Sequence, residues 1–459
     1  MSTPRITELP YPAAVAERFR ALADLPWPIW LDSAARGADS SGRFDVLVAD
    51  PYVTLRTRGT VTEIRTRDGG LSTSTRPPLE LLREQLGPRV AGAAGLPFCG
   101  GAVGYLGYDL GRRFERIPAI AAADIDMADM AVGLYDWAVV VDHEARRSWL
   151  VGAGRDARTF ADWERMVERV QGAPTPAPPP FRVLTRPVAN YTRAAYSEAF
   201  RRVQQHIRAG DCYQVNLTQR FRARAEGDAW HAYLRLREIN PAPFAAYLDL
   251  PDGRIVCSSP ERFLRVRGDC VQTKPIKGTR PRSADPARDR ALAEELRTSP
   301  KDRAENVMIV DLLRNDLGKC CVPGSIRASR LFAIESYASV HQLVSTVEGR
   351  LARGRDALDL VAACFPGGSI TGAPKVAAMQ VIEELEPQRR SIYCGCIGYV
   401  GFDGDMDLNI AIRTLVQRGD YVYTWAGGGV VADSNVEAEY QESLDKAAAM
   451  LKVLDPGTG

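Results

Sequence analysis

Glu305 lies in a segment whose spacing predicts a helix, on one face with three apolar residues: Met308, Ile309 and Leu312. A carboxylate within an apolar stripe is costly to bury alone, so it needs a cation, a set of hydrogen bonds or a metal ion. An ordinary ion pair with Arg303 or Arg314 is the alternative explanation.

A second carboxylate pair lies near the C-terminus, where Glu439, Glu442 and Lys446 share one face of a predicted helix. The neighbouring face is apolar and contains Tyr440, Leu444, Ala447 and Leu451. Two carboxylates held together on a rigid element suit Mg²⁺, which prefers oxygen ligands and keeps several waters. A routine surface ion pair between Glu442 and Lys446 explains the spacing equally well.

Lys277 belongs to a proline-broken segment with four cations within nine residues: Lys274, Lys277, Arg280 and Arg282. Basic clusters are usually solvated, but Lys277 lies between Pro275-Ile276 and Gly278 and is expected to point inward. Burial and neighbouring cations would then lower its pKa. A free amine near neutral pH requires a drop of roughly 3 units from about 10.4, equivalent to about 4 kcal/mol.

Two glycine-rich segments, residues 367–375 and 426–429, could present backbone N–H groups to an anion such as a carboxylate. The first is not a Walker A sequence, because its lysine does not directly follow Gly372 and no serine or threonine comes after it. Tight turns are the alternative for both segments.

These residues must be positioned by helices and strands that the sequence also predicts. Helices are expected over 192–209 before Gly210, over 300–316 after the N-cap Ser299, and from a capping box at Ser434 and Glu437 to about residue 454. Alternating apolar stretches at 44–48 and 130–141 predict strands, the second interrupted by Asp136. Mixed strands and helices predict an α/β fold.

The chain has 459 residues and a formal net charge of +2, from 59 basic and 57 acidic side chains. This balance argues against a nucleic-acid or membrane-surface binder. No signal peptide or long apolar run is evident, so a cytoplasmic protein is expected, with its nine cysteines reduced. The proline-rich stretch 172–180 separates a region 1–171 from a larger region 181–459, as a linker or a surface crossing.

Several ordered motifs together make the chain resemble the chorismate-utilising enzymes, a family that includes anthranilate, aminodeoxychorismate, isochorismate and salicylate synthases. The resemblance covers nearly the whole chain and rests on residues 259–263, 275–282, 302–306, 368–375, 411–414 and 427–446. It implies two intertwined lobes of mostly antiparallel sheet, packed as a sandwich with helices outside and the site between.

The resemblance also implies a substrate and the residues that bind it. Chorismate would lie beside a Mg²⁺ ion held by Glu305, Glu439 and Glu442, which would favour C–O cleavage. The family's carboxylate-binding positions match Tyr399, Arg413, Lys446 and the backbone around Thr371, Gly372, Gly428 and Gly429. Bidentate arginine geometry fits that task.

Two positions distinguish branches within the family. Members that add water carry a lysine at the position of Gln214, so glutamine there implies the ammonia-using branch and a place in the substrate site. Anthranilate synthases carry alanine where this chain has Lys277, so lysine implies amination at C4. The implied mechanism makes neutral Lys277 a nucleophile at C2 while Glu261, as general acid, protonates the departing hydroxyl.

The resemblance further implies a glutaminase partner that supplies ammonia, since the chain lacks a cysteine nucleophile elbow of its own. The product would be 4-amino-4-deoxychorismate, a precursor of p-aminobenzoate and folate after a separate lyase. A tryptophan pocket is implied at Leu31, Ser33, Arg43 and Phe44, although a plain core strand also explains Trp30-Leu31.

One position departs from the family, because Gln342 occupies the place of a common histidine and His341 precedes it. Two alternatives remain: an anthranilate synthase component, which Lys277 disfavours, and a non-catalytic chorismate-binding subunit. The presence of both Lys277 and Glu261 disfavours the second, since a binding module needs neither a nucleophile nor an acid.

Overall fold

The computed structural model describes residues 4–35, 42–337 and 340–458. Its α-helices there are α1 Val15–Arg20, α2 Pro78–Leu86, α3 Ala157–Ala161, α4 Trp163–Gln171, α5 Arg193–Ala209, α6 Ala229–Ile239, α7 Pro286–Thr298, α8 Pro300–Gly318, α9 Ala357–Cys364, α10 Lys375–Leu385 and α11 Val436–Val453. Short 3₁₀ helices span Tyr108–Arg113, Gly368–Ile370 and Pro456–Thr458.

The strands before the proline-rich stretch are β1 Arg5–Leu9, β2 Ile29–Asp32, β3 Phe44–Val48, β4 Val53–Arg58, β5 Val61–Thr66, β6 Leu71–Ser74, β7 Gly101–Leu106, β8 Met130–Tyr135, β9 Trp137–Asp142 and β10 Arg147–Gly152. Those after it are β11 Arg182–Val183, β12 Val188–Ala189, β13 Gln214–Glu226, β14 Phe244–Leu250, β15 Gly253–Ser259, β16 Arg262–Arg267, β17 Cys270–Lys274, β18 Ile276–Pro281, β19 Arg327–Ser336, β20 Val340–Arg350, β21 Gly372–Ala373, β22 Cys396–Gly401, β23 Met406–Asn409, β24 Thr414–Arg418 and β25 Tyr421–Val430.

These strands form two large antiparallel sheets. The first runs β1-β10-β9-β3-β2-β14-β15-β24-β25-β13-β11, with β12 and β21 also paired to β13. The second runs β18-β20-β17-β16-β23-β22-β7-β8-β4-β5-β6, with β19 also paired to β20. One buried apolar cluster contains residues of both sheets, among them Val46 and Ile255 of the first and Leu55 and Val132 of the second. The predicted α/β sandwich of antiparallel sheets is therefore confirmed.

Both sheets take strands from either side of residues 172–180, which contain no helix or strand. The predicted apolar stretch 130–141 is in fact two strands, β8 in the second sheet and β9 in the first, joined at Asp136. Asp136 accepts hydrogen bonds from the backbone of Arg155 and Asp156 at 2.8 and 3.0 Å. The chain thus passes from one sheet to the other at a buried aspartate, and each of its carboxylate oxygens accepts a backbone hydrogen bond.

Local signals fix the helices that carry the predicted site residues. The Ser299 hydroxyl accepts a hydrogen bond from Asp302 N, so α8 begins where it was predicted. Gly210 ends α5 in a left-handed conformation at φ 85°, as expected of a glycine after a helix. The predicted capping box at Ser434 is wrong by one residue, because Asn435 caps α11 while the Ser434 hydroxyl donates to Glu439.

The nine cysteines are free thiols, and all but Cys270 are buried. Burial in apolar surroundings raises the pKa of the Cys257 and Cys321 thiols to about 11, which keeps them protonated and unreactive. None of the helices in the described ranges combines the length and the apolar character needed to span a membrane.

One fully buried arginine ties together the strands and loops that shape the site. Arg390 donates to both carboxylate oxygens of Glu386, at 2.9 and 2.6 Å, and to the carbonyls of Ile370 and Asn216, at 2.9 and 2.6 Å. Glu386 also accepts from the backbone and hydroxyl of Thr218. The pair therefore joins β13 to the loop before β21.

Replacing Arg390 with methionine should cost about 3–5 kcal/mol of stability, because Glu386 would stay buried without its cation. Urea unfolding should show the loss as a lower midpoint. The double variant Arg390→Met with Glu386→Gln should recover part of it, since no isolated charge remains. Arg297→Met, which breaks an exposed ion pair with Glu294, should leave the midpoint nearly unchanged.

Candidate active site

A cavity of about 760 Å³ lies where β13, β18, β20 and β25 meet helices α8 and α11. Most of the predicted site residues line it, namely Glu261, Lys277, Glu305, Arg413, Gly429, Glu439, Glu442 and Lys446. They are far apart in sequence, and only the crossing of strands and helices brings them to one place. Charged side chains of both signs are prominent in its lining.

Lys277 lies on β18 in the wall of this cavity and donates to the carbonyl of Ser369 at 3.3 Å. Burial and the nearby Lys446 lower the pKa of its amine, although Glu305 and Glu261 act in the opposite direction. The sequence predicted this direction from the residues around Lys277. Its amine is therefore more readily available as a neutral nucleophile than an ordinary lysine.

Glu261 follows β15 and is only 5% exposed, in the same cavity as Lys277. Burial raises the pKa of its carboxyl to about 7, against the opposing effects of Ser369 and Lys277. Near neutral pH this group is partly protonated and can donate a proton. The raised pKa of Glu261 and the lowered pKa of Lys277 allow one group to act as a proton donor while the other acts as a neutral amine.

The three predicted metal ligands lie on α8 and α11 and line the cavity. Burial raises the pKa of Glu439 and of Glu305. Glu442 is also desolvated, but its ion pair with Lys446, at 2.6 Å, lowers its pKa overall. Glu305 forms an ion pair with Lys301, whose Nζ lies 3.9 Å from Oε1 of Glu305, and not with Arg303 or Arg314.

These carboxylates fit a metal by their chemistry more than by their present spacing. The buried Oε2 atom of Glu439 has no hydrogen-bond partner, which leaves an oxygen ligand available. In the parts of the chain that the structure describes, however, no three acidic, histidine or cysteine side chains are close enough to hold an ion. Carboxylate oxygens are nevertheless the donors that Mg²⁺ prefers, and this ion commonly uses only one or two of them together with waters.

The glycines of β25 leave room for the groups around them. A Cβ atom on Gly428 would lie 2.9 Å from Glu439 Oε2 and 3.3 Å from Glu442 Oε1. One on Gly429 would lie 2.8 Å from Nε2 of Gln214, whose fully buried amide has no partner for either polar atom. The segment 426–429 is thus the interior of a strand, and the alternative of a tight turn is wrong.

Arg413 and Lys446 are joined, since Arg413 donates to the backbone carbonyl of Lys446 at 2.6 Å. Among residues 4–35, 42–337 and 340–458, no acidic side chain pairs with Arg413, and burial lowers its pKa. An enclosed guanidinium without a carboxylate of its own can bind one from a ligand. Tyr393 also lines this cavity.

Five predicted substrate residues do not line this cavity: Gln214, Thr371, Gly372, Tyr399 and Gly428. Tyr399 faces a second cavity, where its hydroxyl accepts from Arg267 at 2.5 Å, whereas Tyr393 lines the main one. Thr371 and Gly372 are buried behind the wall, where Gly372 pairs with Val215 of β13. The residues before them, Ser369 and Ile370, reach the cavity instead. A substrate contact of the predicted residues outside this lining stays a prediction, since sequence spacing does not reveal which face of a strand or turn lines a cavity.

The second cavity, of about 240 Å³, gathers all four residues predicted for a tryptophan pocket: Leu31, Ser33, Arg43 and Phe44. The Ser33 hydroxyl donates to the Phe44 carbonyl at 2.6 Å. The Arg43 guanidinium lies 4.7 Å from the centre of the Phe44 ring. This cavity is separate from the one that contains Lys277.

The two residues at the position of the family histidine face opposite ways. Gln342 lines the main cavity, with its Oε1 atom buried and without a partner. His341 points away and is held by Asp289 at 3.0 Å and by the Ser336 hydroxyl at 2.7 Å. His341 is therefore already engaged outside the cavity, and Gln342 takes the site-facing position.

Residues 32–452 match the model of a family described as chorismate binding enzyme. The chain belongs to this family. It is 49% identical to aminodeoxychorismate synthase component 1 of Salmonella typhimurium, over 99% of both chains. It is 40% identical to anthranilate synthase component 1 of Thermus thermophilus, over 94% of this chain and 92% of that protein.

A solved structure agrees with this membership of the chorismate-binding family. Anthranilate synthase component I from Streptococcus pneumoniae superposes with a TM-score of 0.78 at 32% identity, over 89% of this chain and 92% of that one. The α/β architecture predicted from the family resemblance is thus found both in the fold and in the relatives.

The raised pKa of Glu261 should make the stability of the fold depend on pH. A carboxyl with a pKa of about 7 in the folded chain and about 4.3 in the unfolded one favours folding at low pH, and this contribution is lost as pH rises through 7. Glu261→Gln should therefore raise the melting temperature at pH 8 and leave it nearly unchanged at pH 4.

The loss of stability that the Glu261 carboxylate causes at pH 8 should reach at most about 4 kcal/mol, from the difference between the two pKa values. The exposed Glu168 of α4 provides a control, since Glu168→Gln should change the melting temperature little at either pH. If Glu261→Gln and the parent chain melt at the same temperature at pH 8, then the ionised Glu261 carboxylate does not destabilise the fold.

Proposed function

We propose that this protein is aminodeoxychorismate synthase component 1, which converts chorismate and ammonia to 4-amino-4-deoxychorismate. The observation that carries the proposal is the pairing of Lys277, with its lowered pKa, and Glu261, with its raised pKa, in one cavity. Relatives of that name are 47–49% identical over nearly the full chain. This supports the enzyme over a non-catalytic binding subunit.

The reaction proceeds in two displacements, and Lys277 takes part in both. Its neutral amine bonds to C2 of chorismate, the two conjugated ring double bonds each move one position around the ring, and the C4–O bond breaks as Glu261 gives its proton to the leaving oxygen, which departs as water. Ammonia then bonds to C4, and the C2–N bond breaks with its electron pair returning to Lys277. The surplus proton of the new amino group restores Glu261.

Two displacements explain why this branch needs a lysine. Because Lys277 occupies C2 first, ammonia is directed to C4, and the product keeps its enolpyruvyl group. An anthranilate synthase component is the second candidate, since relatives with that name reach 40–43% identity. Lys277 is the residue that favours 4-amination over it.

Substrate carboxylates would be bound by Arg413 and Lys446 on one side of the cavity. Glu305, Glu439 and Glu442 would hold a Mg²⁺ ion, which when bound supplies positive charge to the ring carboxylate and favours C–O cleavage. The partnerless Oε2 of Glu439 supports this assignment. Binding of Mg²⁺ by Glu442 would compete with the present ion pair between Glu442 and Lys446.

Ammonia would come from a separate glutamine amidotransferase, as the words component 1 in the names of the relatives suggest. We also propose tryptophan as the ligand of the second cavity, where the Phe44 ring lies beside the polar Ser33 and the Arg43 guanidinium. A function in the cytoplasm, in the supply of p-aminobenzoate for folate, follows from the proposed reaction.

The decisive experiment for this function incubates the purified chain with chorismate, Mg²⁺ and an ammonium salt, then adds a lyase and measures p-aminobenzoate. Lys277→Ala should lower the rate at least roughly a thousandfold, because the nucleophile is lost. Lys452→Ala, on the exposed side of α11, should keep the parent rate. Fluorescent anthranilate in place of p-aminobenzoate would refute the branch, and neither product would favour a binding subunit.

Magnesium binding can be measured without turnover, as a rise in melting temperature with added Mg²⁺. Glu439→Gln should weaken the apparent affinity at least about tenfold, since it removes a charged ligand. Glu437→Gln serves as the control, because Glu437 lies on the same helix but is exposed and pairs with Arg193. An unchanged Mg²⁺ response in Glu439→Gln would exclude this carboxylate as a ligand.

A further inference from the structure

Gln342 presents an unused hydrogen-bond acceptor to the main cavity. It lies on β20 directly opposite Thr279 of β18, and both residues line the cavity wall that also contains Lys277. Gln342 is 7% exposed, and its Oε1 atom is buried without a partner. Leaving such a buried carbonyl unpaired destabilises the protein, so a ligand that brings a donor would remove the penalty.

The groups that could donate a hydrogen bond to Gln342 differ in whether they already have a partner. The Lys277 amine donates to the Ser369 carbonyl. The hydroxyl that leaves the substrate is protonated by Glu261 in the proposed reaction. Ammonia brings three N–H bonds into the cavity, and no acceptor has been assigned to it. It is also the only reactant that must be oriented without a charged group of its own.

The neighbouring side chain does not compete for this role. His341 faces the opposite side of β20, where Asp289 and the Ser336 hydroxyl hold both of its ring nitrogens. Gln342 is uncharged, so its acceptor is present at every pH at which the enzyme folds. A neutral carbonyl also leaves the pKa of Lys277 unaffected, whereas a carboxylate there would raise it.

We propose that Oε1 of Gln342 accepts a hydrogen bond from the incoming ammonia and directs its lone pair toward the substrate ring. This inference rests on the proposed 4-amination and adds the binding site of its second substrate. One N–H of ammonia is bound by the carbonyl, and the nitrogen keeps its lone pair for C4. The hydrogen bond persists until the C4–N bond has formed.

The test compares steady-state kinetics of the parent chain and Gln342→Met, with ammonium and chorismate varied separately. Methionine has a similar volume but no acceptor, so KM for ammonia should rise roughly fivefold to tenfold, as for the loss of one hydrogen bond. KM for chorismate should stay within about twofold. Gln342→Glu, which keeps an acceptor at the same place, should retain a KM for ammonia near that of the parent, while its carboxylate raises the pKa of Lys277 and so lowers kcat.

Gln219→Met is the matched control. Gln219 is fully buried, donates to the Ser443 hydroxyl at 2.6 Å and also has a partnerless Oε1, but it does not line the cavity. Both of its KM values should equal those of the parent. Melting temperatures of all variants establish that each one is folded under the assay conditions.

Three results would overturn the role of Gln342: a rise in KM for chorismate alone, no change in either KM for Gln342→Met, or an equal rise in KM for ammonia in Gln342→Met and Gln342→Glu. Failure of the proposed function is a different result, because the parent chain would then form no p-aminobenzoate at any ammonium concentration. The two failures are therefore distinguishable in one set of assays.

Discussion

The removal of ionisable groups from water governs the chemistry of this site. Desolvation is the largest influence on Lys277, Glu261 and Glu439, and it moves each toward its neutral form. A neutral amine can attack carbon, and a neutral carboxyl can give up a proton, so one physical effect prepares both reactants. The opposite charges nearby restrain these shifts but do not reverse them.

Such a site requires a wall that is assembled from distant parts of the chain. Lys277 comes from the second sheet, Gly427 and Gly429 from the first, and Glu305 and Glu439 from two helices. Arg390 fixes the contact between β13 and the loop that carries Ile370. The stability of the sandwich and the geometry of the cavity are therefore linked, and strands from both halves of the sequence are needed for either.

Residues with strong local signals could be predicted from the sequence. The cap at Ser299, the stop at Gly210 and the strand Phe44–Val48 each depend on neighbours a few positions away. The family motifs also placed Lys277, Glu261 and the three glutamates, because each motif spans residues with a common role. Positions whose role depends on a local orientation were less predictable.

Tyr399, Thr371 and Ser434 illustrate the limit. In a strand, adjacent residues face opposite sides, so an aromatic residue in the right motif can still face the wrong cavity. Tyr399 does so, and Thr371 is turned into the wall. Ser434 and Asn435 are both good caps, and only the path of the chain into α11 decides between them. Sequence spacing alone does not contain this information.

In the proposed reaction the amine of Lys277 forms a bond to carbon. Mass spectrometry can detect this bond if the protein is mixed with chorismate and Mg²⁺ without ammonia, quenched with acid and digested to peptides. We expect a dehydrated chorismate adduct on Lys277 and none on Lys274, which is buried in an ion pair with Glu335. If Lys277 carries no adduct in a preparation that forms the aminated product once ammonia is added, Lys277 is not the nucleophile.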